Sequence, residues 1–575
     1  MSSVYKKVSA ASGYEFSCGT GYQLPEYPFT APPELGCNQA AHHNIVIVGG
    51  GLAGLTLANA LAQYGVNAIL LDEDNTVGVK GASSRGICYA QKTLEIFKRL
   101  GIYQRIAAKG VQWSVGRTFA GNDEVYSFDL ALAATHNVSA QPPFINIQQF
   151  YVEGFLVEQL YQQQNQSVEL RWNNRITAFA QNADFATLNI TTPAGDYQIK
   201  ATHVVDCSGA RSPFRAWVAA SVTAKKGDDR WCIADVRFKN PPPVERHTWI
   251  EAPFNEGRAV WQHLMADGVW RIDYQMRPDA DPEEVSREDV VRERINLQFL
   301  GQLGRNVPHD EYEIVWVGPY AYRSECLDQL RYGRVFFVGD AAHVVSPFGA
   351  RGGNSGVQDA DNLAWKLAAV SNGSASTSLL ASYHHERHEA AEHNVRVTNR
   401  TARFLRPADG AERVFRSAAI SLAKRHAFAR LLVNTGRMSA PNVYSQSPAC
   451  SAGGGYAVQN MALLWADGSK GDLADLLAWA QGRLLLLVFG ELTTGQLRRA
   501  AALASGNAGL CVQVVGSGSK ALAKEHVHDF NGALSACTGN AMWTWLRGDG
   551  YIVGSGQQID GSIDSAAKKA HGHAP

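Results

Sequence analysis

The stretch that decides the fold is residues 44–72, which read NIVIVGGGLAGLTLANALAQYGVNAILLD. It begins with a continuous apolar run at 45–48, which is typical of a strand buried on both faces. Apolar residues then recur at helical spacing through 55–64, and Gly65 ends that pattern. A second apolar run at 66–71 predicts a second strand, so the stretch indicates a strand, helix, strand unit of a parallel sheet.

A Gly-x-Gly-x-x-Gly turn joins the first strand of this unit to its helix. Its first glycine makes the tight turn, its second lets the backbone approach a pyrophosphate, and its third lets the helix pack closely on the strand. The helix N-terminus faces the phosphate charge, and an acid at the end of the second strand accepts hydrogen bonds from a ribose. The unit by itself does not separate NAD from FAD. The residues expected to bind the dinucleotide are Gly49, Gly51, Leu52, Ala53, Gly54, Asp72 and Glu73.

A second glycine-rich stretch lies far along the chain at 339–354 and reads GDAAHVVSPFGARGGN. Helical patterns follow it at 358–370 and at 379–403. A helix that begins near Asn354 aims its partial positive end at the negative charge that a reduced flavin develops at N1 and O2. Together, the two glycine-rich stretches indicate a bound flavin.

Composition limits the class of partner. The chain has 575 residues, 45% of them hydrophobic, and a prior of roughly 150 residues per domain gives it several domains with real cores. Fifty-three basic residues balance fifty-three acidic ones, so no net field favours nucleic acid or an anionic membrane. We therefore expect small-molecule partners, and a homodimer as the assembly.

Cysteine usage and the N-terminal sequence indicate the cellular compartment in which the protein is expected. The nine cysteines are scattered and form no Cys-x-x-Cys pair, which suits a reducing cytoplasm. Residues 1–43 lack the apolar core of a signal peptide and are interpreted as an N-terminal arm. No run approaches the ~18 apolar residues of a membrane span. We expect a soluble, cytoplasmic protein.

The middle of the chain changes character at 221–319. Its segments 231–238, 247–250, 260–265 and 269–276 alternate apolar and polar positions. This alternation predicts an antiparallel sheet, one face of which roofs a pocket.

Composition breaks again near 439–455, which is rich in Ser, Pro and Gly. Strand-like runs at 484–489, 511–515 and 551–553 then alternate with helical stretches and predict a small α/β domain. The expected domains are a discontinuous dinucleotide-binding domain at 44–220 and 320–400, a sheet domain at 221–319, a helical segment and linker at 401–455, and the α/β domain at 456–575.

Two further patterns are interpreted as structural. A Gly-x-Gly turn at 516–518 follows an apolar run, but no acid-tipped strand comes after it at the right distance, so we interpret it as a strand-turn-helix connection. His384 and His388 stand at i and i+4 on a predicted helix, a spacing that fits a metal ion. The flanking charges favour a surface helix instead, and no metal site is predicted.

Residues 45–400 resemble the class A flavoprotein monooxygenases, the aromatic hydroxylases of the para-hydroxybenzoate hydroxylase fold. Besides the two glycine-rich stretches, the likeness rests on Ser84-Arg85-Gly86-Ile87-Cys88 and Pro253-Phe254-Asn255. It favours the branch that contains the 3-(3-hydroxyphenyl)propionate hydroxylases, and 461–575 is similar to the thioredoxin-like C-terminal domain of phenol hydroxylase.

The resemblance implies an α/β fold with three parts. These are a Rossmann-like FAD-binding domain, an interleaved antiparallel-sheet substrate domain and a small thioredoxin-like domain at the C-terminus. Because this last part has no Cys-x-x-Cys, we expect it to serve packing or dimer formation rather than dithiol chemistry.

The resemblance also assigns cofactor-binding residues. It implies that Asp340, after Gly339, binds the ribitol of FAD. It places Arg85 at the ribose and pyrophosphate region, and Gln149 at the start of a helix against the flavin. These roles are carried over from the family by position.

The resemblance places the reacting centre at the second glycine-rich stretch. Backbone N–H groups of Gly352, Gly353 and Asn354 are implied to meet the pyrimidine edge of the flavin, and Pro347 to shape the floor where the substrate sits. Pro347, Gly352 and Asn354 are therefore the expected catalytic residues.

One segment departs from the family pattern. The family has an Asp-Gly pair before Ala-Arg-Ser, whereas residues 206–212 read DCSGARS and place Ser208 at the aspartate position. Asp206 lies two residues earlier and, on a strand, points to the same face. The docking of NADH or NADPH is the function that this departure concerns.

The resemblance implies an FAD-dependent monooxygenase that hydroxylates a phenolic compound with NADH or NADPH and O₂, through a flavin C4a-hydroperoxide. The alternatives are an FAD enzyme of the same fold that performs epoxidation or heteroaromatic hydroxylation, and a non-catalytic flavin-binding homologue. Tyr274, His263 and Arg258 lie at sheet positions suited to promoting the phenolate. Because a one-residue shift in register reverses the face of a strand, that residue is left open.

Overall fold

The computed structural model describes most of the chain, and three large sheets account for its architecture. The described residues are 6–10, 13–17, 22, 24–78, 86–129, 139–163, 167–225, 230–321, 323–433, 440–444, 446–490, 493–505, 508–516, 526–529 and 531–573.

The first part of the chain contains the predicted strand, helix, strand unit, at Ala41–Val48, Leu52–Gln63 and Ala68–Leu71. Each element exists, with ends shifted by a few residues from the sequence pattern. The elements here are β1 (Lys6–Ala10), β2 (Gly13–Ser17), β3 (Ala41–Val48), α1 (Leu52–Gln63), β4 (Ala68–Leu71), β5 (Cys88–Ala90), α2 (Gln91–Arg99), α3 (Tyr103–Lys109), β6 (Val115–Ala120), β7 (Asp123–Asp129), β8 (Phe144–Asn146), α4 (Gln149–Gln162), β9 (Val168–Arg171), β10 (Arg175–Gln181), β11 (Ala186–Thr192), β12 (Gly195–Asp206) and α5 (Phe214–Trp217).

The middle of the chain is mostly strand, as its alternating pattern predicts. The elements are β13 (Val222–Lys225), β14 (Arg230–Phe238), β15 (Arg246–Ala252), β16 (Arg258–Leu264), β17 (Val269–Gln275), α6 (Pro282–Val285), α7 (Glu288–Leu303), β18 (Tyr312–Ala321), β19 (Ser324–Leu327), β20 (Arg331–Tyr332), β21 (Val335–Phe337) and β22 (His343–Val344). The four alternating segments of the sequence fall on β14 to β17.

Two long helices follow the second glycine-rich stretch, and an α/β region ends the chain. The elements are α8 (Gly352–Ser371), α9 (Ala381–Leu405), α10 (Gly410–Arg425), α11 (Arg430–Val433), β23 (Ala462–Trp465), β24 (Lys470–Asp472), α12 (Leu473–Ala480), β25 (Leu484–Phe489), α13 (Thr494–Ser505), β26 (Leu510–Gly516), β27 (His526–His528), α14 (Ala533–Cys537), β28 (Trp543–Leu546), β29 (Ile552–Gly556) and α15 (Ser562–Ala570).

A parallel sheet forms the centre of the dinucleotide-binding domain. β3 pairs in parallel with β4 on one side and with β12 on the other, and β9 and β21 extend the two edges. Ile45, Val46 and Ile47 are fully buried, because helices cover the sheet. Helix α1 packs against both α4 and α8, which brings the two glycine-rich stretches of the sequence to one place.

A nine-stranded sheet stands beside this domain, in the order β1-β2-β18-β14-β17-β16-β15-β6-β7. The sheet is not confined to 221–319, since β6 and β7 come from 115–129 and β1 and β2 from the N-terminal segment. Two strands of the expected N-terminal arm thus join the sheet through β18, and Tyr27 of the same segment stacks on Trp172 at 4.6 Å. Strand pairing across the sheet depends on distant segments, which a local pattern does not encode.

The two faces of the nine-stranded sheet have different neighbours. One face packs on α7, where Val291, Ile295 and Phe299 join a core with Trp270 and Ile272. The opposite face is turned towards the dinucleotide-binding domain and encloses a cavity. The predicted pocket-roofing face is therefore present.

The C-terminal region is a mixed α/β unit. Its seven-stranded sheet has the order β24-β23-β27-β26-β25-β28-β29, with β25, β26 and β27 parallel. The mixed α/β class is confirmed, whereas the thioredoxin-like character of this unit stays a prediction. The Gly-x-Gly turn at 516–518 lies largely outside the described residues, beyond the end of β26.

A buried charge network joins the C-terminal unit to α8 and α9. The Arg547 guanidinium lies 2.6 Å from Glu386 Oε1 and 2.5 Å from Asp549 Oδ2, and Lys366 Nζ lies 2.8 Å from Glu386 Oε2. All four side chains are buried. Burial lowers the pKa of Lys366 to about 8, although Glu386 opposes that shift. The network links the C-terminal unit to the helix that begins at the flavin-related stretch.

Among the described residues, no helix is both long and apolar enough to cross a membrane. The same residues contain no group of three or more His, Cys, Asp or Glu side chains that could hold a metal ion. His384 and His388 lie with their rings 4.9 Å apart, and the His384 ring accepts a hydrogen bond from the Leu330 backbone N–H.

Candidate functional site

The glycine turn between β3 and α1 is shaped by steric need at two of its three motif glycines. Gly49 has φ 101°, and a Cβ there would lie 2.6 Å from the carbonyl oxygen of Cys207. A Cβ on Gly54 would overlap the carbonyl oxygen of Gly49. A Cβ on Gly51, in contrast, would meet only Glu153 Oε1 at 3.9 Å. The space beside Gly51 is therefore open, as an approaching pyrophosphate requires.

Leu52 and Ala53 begin helix α1 and connect it to the second glycine-rich stretch. Leu55 N–H donates to the carbonyl of Gly51, so the N–H groups before it have no acceptor within the helix. Ala53 lies against Gly339, where an added Cβ would be 3.2 Å from the Ala53 Cβ. This N-terminus thus presents backbone donors beside the open space at Gly51, of which the Leu52 N–H already interacts with the Glu153 carboxyl group.

Asp72, at the end of β4, binds the glycine turn itself. Its Oδ2 accepts the backbone N–H of Gly50 at 2.5 Å, and its Oδ1 accepts that of Asp74 at 2.7 Å. Burial raises the pKa of Asp72 to about 6, although these two hydrogen bonds favour the ionised form and oppose the shift. The predicted ribose contact of Asp72 stays a prediction, and Glu73 beside it is exposed.

Helix α4 brings a carboxyl group to the turn that sequence reasoning did not assign. Glu153 is 1% exposed and accepts from Gln149 Nε2 at 2.7 Å and from the Gly78 backbone N–H at 2.7 Å. Burial raises the pKa of Glu153 to about 7. The available signal was the Gln149 and Glu153 pair at i and i+4, which shares one helix face.

Gln149 is the first residue of α4, as predicted, and its Oε1 accepts the backbone N–H of Gly86 at 2.9 Å. It therefore ties α4 to the segment that follows Arg85. Arg85 itself lies outside the described residues, so its implied contact with the ribose and pyrophosphate region stays a prediction.

The turn at Gly339 is anchored on α8. Gly339 has φ 63°, and its N–H donates to Asp359 Oδ2 at 3.0 Å. Asp359 also binds His343 Nε2 at 2.7 Å and Arg387 Nε at 2.5 Å. Burial alone would raise the pKa of Asp359, but Arg387 and His343 lower it to about 2. His343 thus has a structural role in holding this turn.

Asp340 is half-buried beside this anchor, and its backbone carbonyl accepts from Arg215 Nη2 at 2.8 Å. Arg215 also pairs with Glu325 at 2.9 Å. The backbone here is therefore held at two points, by Asp359 at the Gly339 N–H and by Arg215 at the Asp340 carbonyl. Its implied contact with the ribitol stays a prediction.

The loop before α8 makes a tight turn at Pro347. The Pro347 carbonyl accepts the N–H of Ala350 at 3.0 Å, and Ala350 itself has φ 54°. A Cβ on Gly353 would lie 3.3 Å from Leu52 Cδ2. The N-termini of α1 and α8 therefore meet, and the partial positive ends of both helices face one region.

The Asn354 side chain is fully used by the protein. Its Oδ1 accepts the backbone N–H of Ala90 at 2.9 Å, and its Nδ2 donates to the carbonyls of Cys88 at 2.8 Å and Ala350 at 2.5 Å. Of the three residues predicted to be catalytic, Asn354 can therefore contact a flavin only through its backbone. The catalytic roles of Pro347 and Gly352 stay predictions.

The segment that departs from the family pattern, 206–212, is held by hydrogen bonds among its own residues. Asp206 Oδ1 accepts from the N–H and the hydroxyl of Ser208, at 3.0 and 2.6 Å, and its Oδ2 accepts from Ser212. Burial raises the pKa of Asp206. Both oxygens of Asp206 are therefore engaged within the loop that follows β12.

A cavity of about 1520 Å³ lies between the nine-stranded sheet and the dinucleotide-binding domain, and reaches the loop at Phe348 and Gly349. It exceeds the ~300–1,000 Å³ of common small-molecule pockets. Eight aromatic side chains line it: Trp113, Tyr126, Phe128, Phe144, Trp261, Phe348, Phe404 and Phe415. Trp261 and Phe348 meet edge to face at 5.0 Å, which joins the sheet to the loop before α8.

The three sheet residues weighed for phenolate promotion fall in different places. Tyr274 donates to Gln298 on the α7 face, away from the cavity. Arg258 pairs with Glu256. His263 is buried near Asp273, with Nε2 3.7 Å from its Oδ2, and burial lowers its pKa. None of the three lines the cavity.

The fold and the site together define a class of flavoprotein. The chain has a dinucleotide-binding glycine turn, two helix N-termini that face one region, and an aromatic cavity covered by a sheet. The chain belongs to the FAD binding domain family, whose sequence profile matches residues 42–398. The two helix starts and the open Gly51 fit this cofactor.

Comparisons with known proteins agree with this family. A 3-(3-hydroxy-phenyl)propionate/3-hydroxycinnamic acid hydroxylase of Mycolicibacterium smegmatis is 28% identical over 365 residues, which cover 63% of this chain and 61% of that protein. The chain thus matches less than two thirds of that relative's length.

Solved structures are similar over more of the chain. The p-nitrophenol 4-monooxygenase PnpA of Pseudomonas putida DLL-E4 is 27% identical, with a TM-score of 0.59 over 69% of this chain and 97% of that one. The flavin-dependent monooxygenase PieE, solved with FAD and substrate, has a TM-score of 0.73 at 21% identity over 92% and 98%. This last likeness shows the shared fold, including the C-terminal unit.

Proposed function

We propose that the protein is an FAD-dependent monooxygenase that hydroxylates a phenolic compound with NADH or NADPH and O₂. The observation that carries the proposal is the aromatic cavity, which opens at Phe348 directly before the N-terminus of α8. Relatives named as a hydroxyphenylpropionate hydroxylase and a p-nitrophenol monooxygenase support a phenol as substrate.

The chain's own contribution is binding, orientation and electrostatics. Trp261 and Phe348 line the cavity and contribute apolar surface beside a bound aromatic ring. The N–H groups at the start of α8 stabilise negative charge placed before them. The aromatic side chains of the cavity replace part of the water around a bound ring. FAD, when bound, supplies the redox chemistry that activates O₂.

The test is to purify the FAD-loaded protein and to follow NADH and NADPH consumption against a panel of phenols. Hydroxylated product and hydrogen peroxide are quantified in the same samples. Consumption that one phenol accelerates, with product matching the nicotinamide oxidised, is the expected result. Bound FAD whose reduction no phenol accelerates would instead exclude a phenol hydroxylase and leave the two alternatives, another FAD chemistry on this fold or a non-catalytic flavin-binding homologue.

We also infer a homodimer in the cytoplasm. The eight described cysteines are all free thiols, which supports a reducing compartment. Exposed apolar side chains that do not line the cavity, Val414 on α10 and Phe428 just before α11, support an interface with a second copy. Sedimentation velocity at micromolar concentration tests the dimer, and a monomer there would contradict it.

A further inference from the structure

Arg387, on α9, is 1% exposed and joins two elements of the second glycine-rich stretch. Its Nε lies 2.5 Å from Asp359 Oδ1, and the other oxygen of Asp359 accepts the Gly339 N–H at 3.0 Å. Its Nη2 donates to the carbonyl and the hydroxyl of Ser355, at 3.3 and 3.2 Å, in the first turn of α8. One guanidinium therefore fixes the turn at Gly339 relative to the start of α8.

The third nitrogen of this guanidinium is held from outside the dinucleotide-binding domain. Arg387 Nη1 donates to the Tyr444 hydroxyl at 2.7 Å. The Tyr444 ring stacks on the ring of Tyr551 at 4.4 Å, with 23° between the ring planes. Tyr551 belongs to the C-terminal unit, directly before β29, and both rings are buried. All three nitrogens of Arg387 thus have a partner, and one of these partners packs on the C-terminal unit.

The stacked tyrosines are confined by their surroundings. The Arg547 guanidinium lies 5.5 Å from the Tyr444 ring centre and 5.3 Å from that of Tyr551, within the range of a cation–π contact. The Tyr444 N–H donates to the Gly455 carbonyl at 2.8 Å. Close-packed interiors are stiff and transmit a displacement. A shift of the C-terminal unit is therefore passed to the Tyr444 hydroxyl, and through it to Arg387.

The position of α8 relative to Gly339 affects how well the protein stabilises charge on a bound flavin. The N–H groups at the start of α8 carry partial positive charge, whose effect falls off within the first turn of a helix. The ring system of oxidised FAD is neutral, whereas the reduced ring carries negative charge at N1 and O2. A small displacement of this helix start should therefore weaken binding of reduced FAD more than binding of oxidised FAD.

We propose that Arg387 is a positioning residue for the bound flavin, and that the C-terminal unit holds it in place through Tyr551 and Tyr444. The C-terminal unit thereby contributes to the redox potential of FAD, although it lies outside the dinucleotide-binding domain. The proposal concerns FAD binding, to which the family match applies, and goes beyond the proposed hydroxylation. It gives this unit a role that requires neither a dithiol nor a second copy of the chain.

The midpoint potential of bound FAD tests the proposal, because a potential reports the difference in affinity between the two redox states. It is measured by dye-coupled reduction of the FAD-loaded full chain, beside the dissociation constant of oxidised FAD from fluorescence. Tyr444→Phe is the decisive variant, since it deletes the hydroxyl and keeps the stacked ring. Tyr551→Ala deletes the stack, and Tyr551→Phe keeps it. Tyr456→Phe, at an exposed tyrosine of the C-terminal unit, is the matched control.

Tyr444→Phe should weaken binding of reduced FAD about tenfold more than binding of oxidised FAD, the scale of one hydrogen bond to a charged group. For a two-electron couple this is a shift of about 30 mV to lower potential. Tyr551→Ala should shift the potential in the same direction. The double variant should shift it no further than the larger single change, because both act through Arg387. Tyr551→Phe and Tyr456→Phe should keep the wild-type potential.

A wild-type potential in Tyr444→Phe would overturn the proposal, whatever that variant does to the unfolding midpoint. So would an equal shift in Tyr456→Phe, or shifts of Tyr444→Phe and Tyr551→Ala that add in the double variant. The expected potentials without turnover of any phenol would support the role of Arg387 and refute the phenol hydroxylase. Turnover of a phenol with an unshifted potential would support the hydroxylase and refute the role of Arg387.

Discussion

The Asn354 carboxamide is joined to Ala90, whose backbone N–H donates to Asn354 Oδ1 at 2.9 Å across 264 positions of the chain. The same side chain donates to the carbonyl of Cys88. Asn354 thus holds strand β5 against the first turn of α8, and the start of that helix is positioned by a distant segment rather than by local helix propensity.

Asn354→Ala should loosen the start of α8. The change removes three hydrogen bonds and should cost about 1–3 kcal/mol of unfolding free energy. FAD affinity should fall with it, because the N–H groups at the helix start lose their fixed position. Thermal unfolding and FAD titration by fluorescence measure both effects. Asn372→Ala, at the exposed far end of the same helix, is the control that should change neither.

Gly51→Ala and Gly54→Ala should separate a cofactor-facing glycine from a packing glycine. An added Cβ at Gly51 meets only Glu153 at 3.9 Å, whereas one at Gly54 overlaps the Gly49 carbonyl. Gly51→Ala should therefore keep the unfolding midpoint of the apoprotein but weaken FAD binding. Gly54→Ala should lower the apoprotein midpoint itself. Equal midpoints for the two apoproteins would contradict this assignment.

Glu153 should make stability and FAD binding depend on pH. Burial raises the pKa of its carboxyl from 4.5 to about 7, so the folded protein keeps a proton that the unfolded chain releases. Its contribution, at most about 3 kcal/mol, is present below pH 4.5 and is lost as pH rises to 7. An ionised Glu153 beside Gly51 also repels a pyrophosphate, so FAD should bind more tightly at pH 6 than at pH 8.

Glu153→Gln should remove both effects, because the amide stays neutral at every pH. Glu158→Gln, on the exposed side of the same helix, should retain the wild-type profiles. Denaturant midpoints and FAD dissociation constants between pH 5 and 8 check this. A Glu153→Gln profile as steep as that of the wild type would exclude Glu153 as the titrating group.

Arg547→Met should detach the C-terminal unit from α9. The change leaves Glu386 and Asp549 buried with one fewer cation, and breaking a buried pair costs about 3–5 kcal/mol. The urea midpoint should fall, and proteolysis between the two units should become faster. Arg403→Met, which removes an exposed ion pair with Glu412, should leave the midpoint unchanged.

The sequence predicted most elements that have a local period. The unit at β3, α1 and β4 and the four strands β14 to β17 were all found within a few residues of their predicted bounds. Helix α8 begins at Gly352, earlier than the apolar pattern at 358–370. Glycine is a poor helix former, so the pattern does not show this start, which the Asn354 side chain holds in place. Local signals are strongest where one face is buried along a whole element.

Three features of the site had no sequence prediction. No role was predicted for Glu153, four residues after Gln149, because the burial of Glu153 depends on packing against the glycine turn. Arg246 lines the cavity, and its side of β15 depends on the register of that strand, where a shift of one residue reverses the face. The use of all Asn354 polar atoms depends on β5, which lies far away in the chain.

The sequence alone determined the cofactor-binding unit and its family, because glycine positions, strand length and helix start are set by short-range sterics and periodicity. Only the tertiary structure decided that the N-terminal strands and 115–129 join the sheet, and which side chains face the aromatic cavity. These depend on pairing and burial between distant segments, whose free energy belongs to the assembled fold rather than to any single stretch.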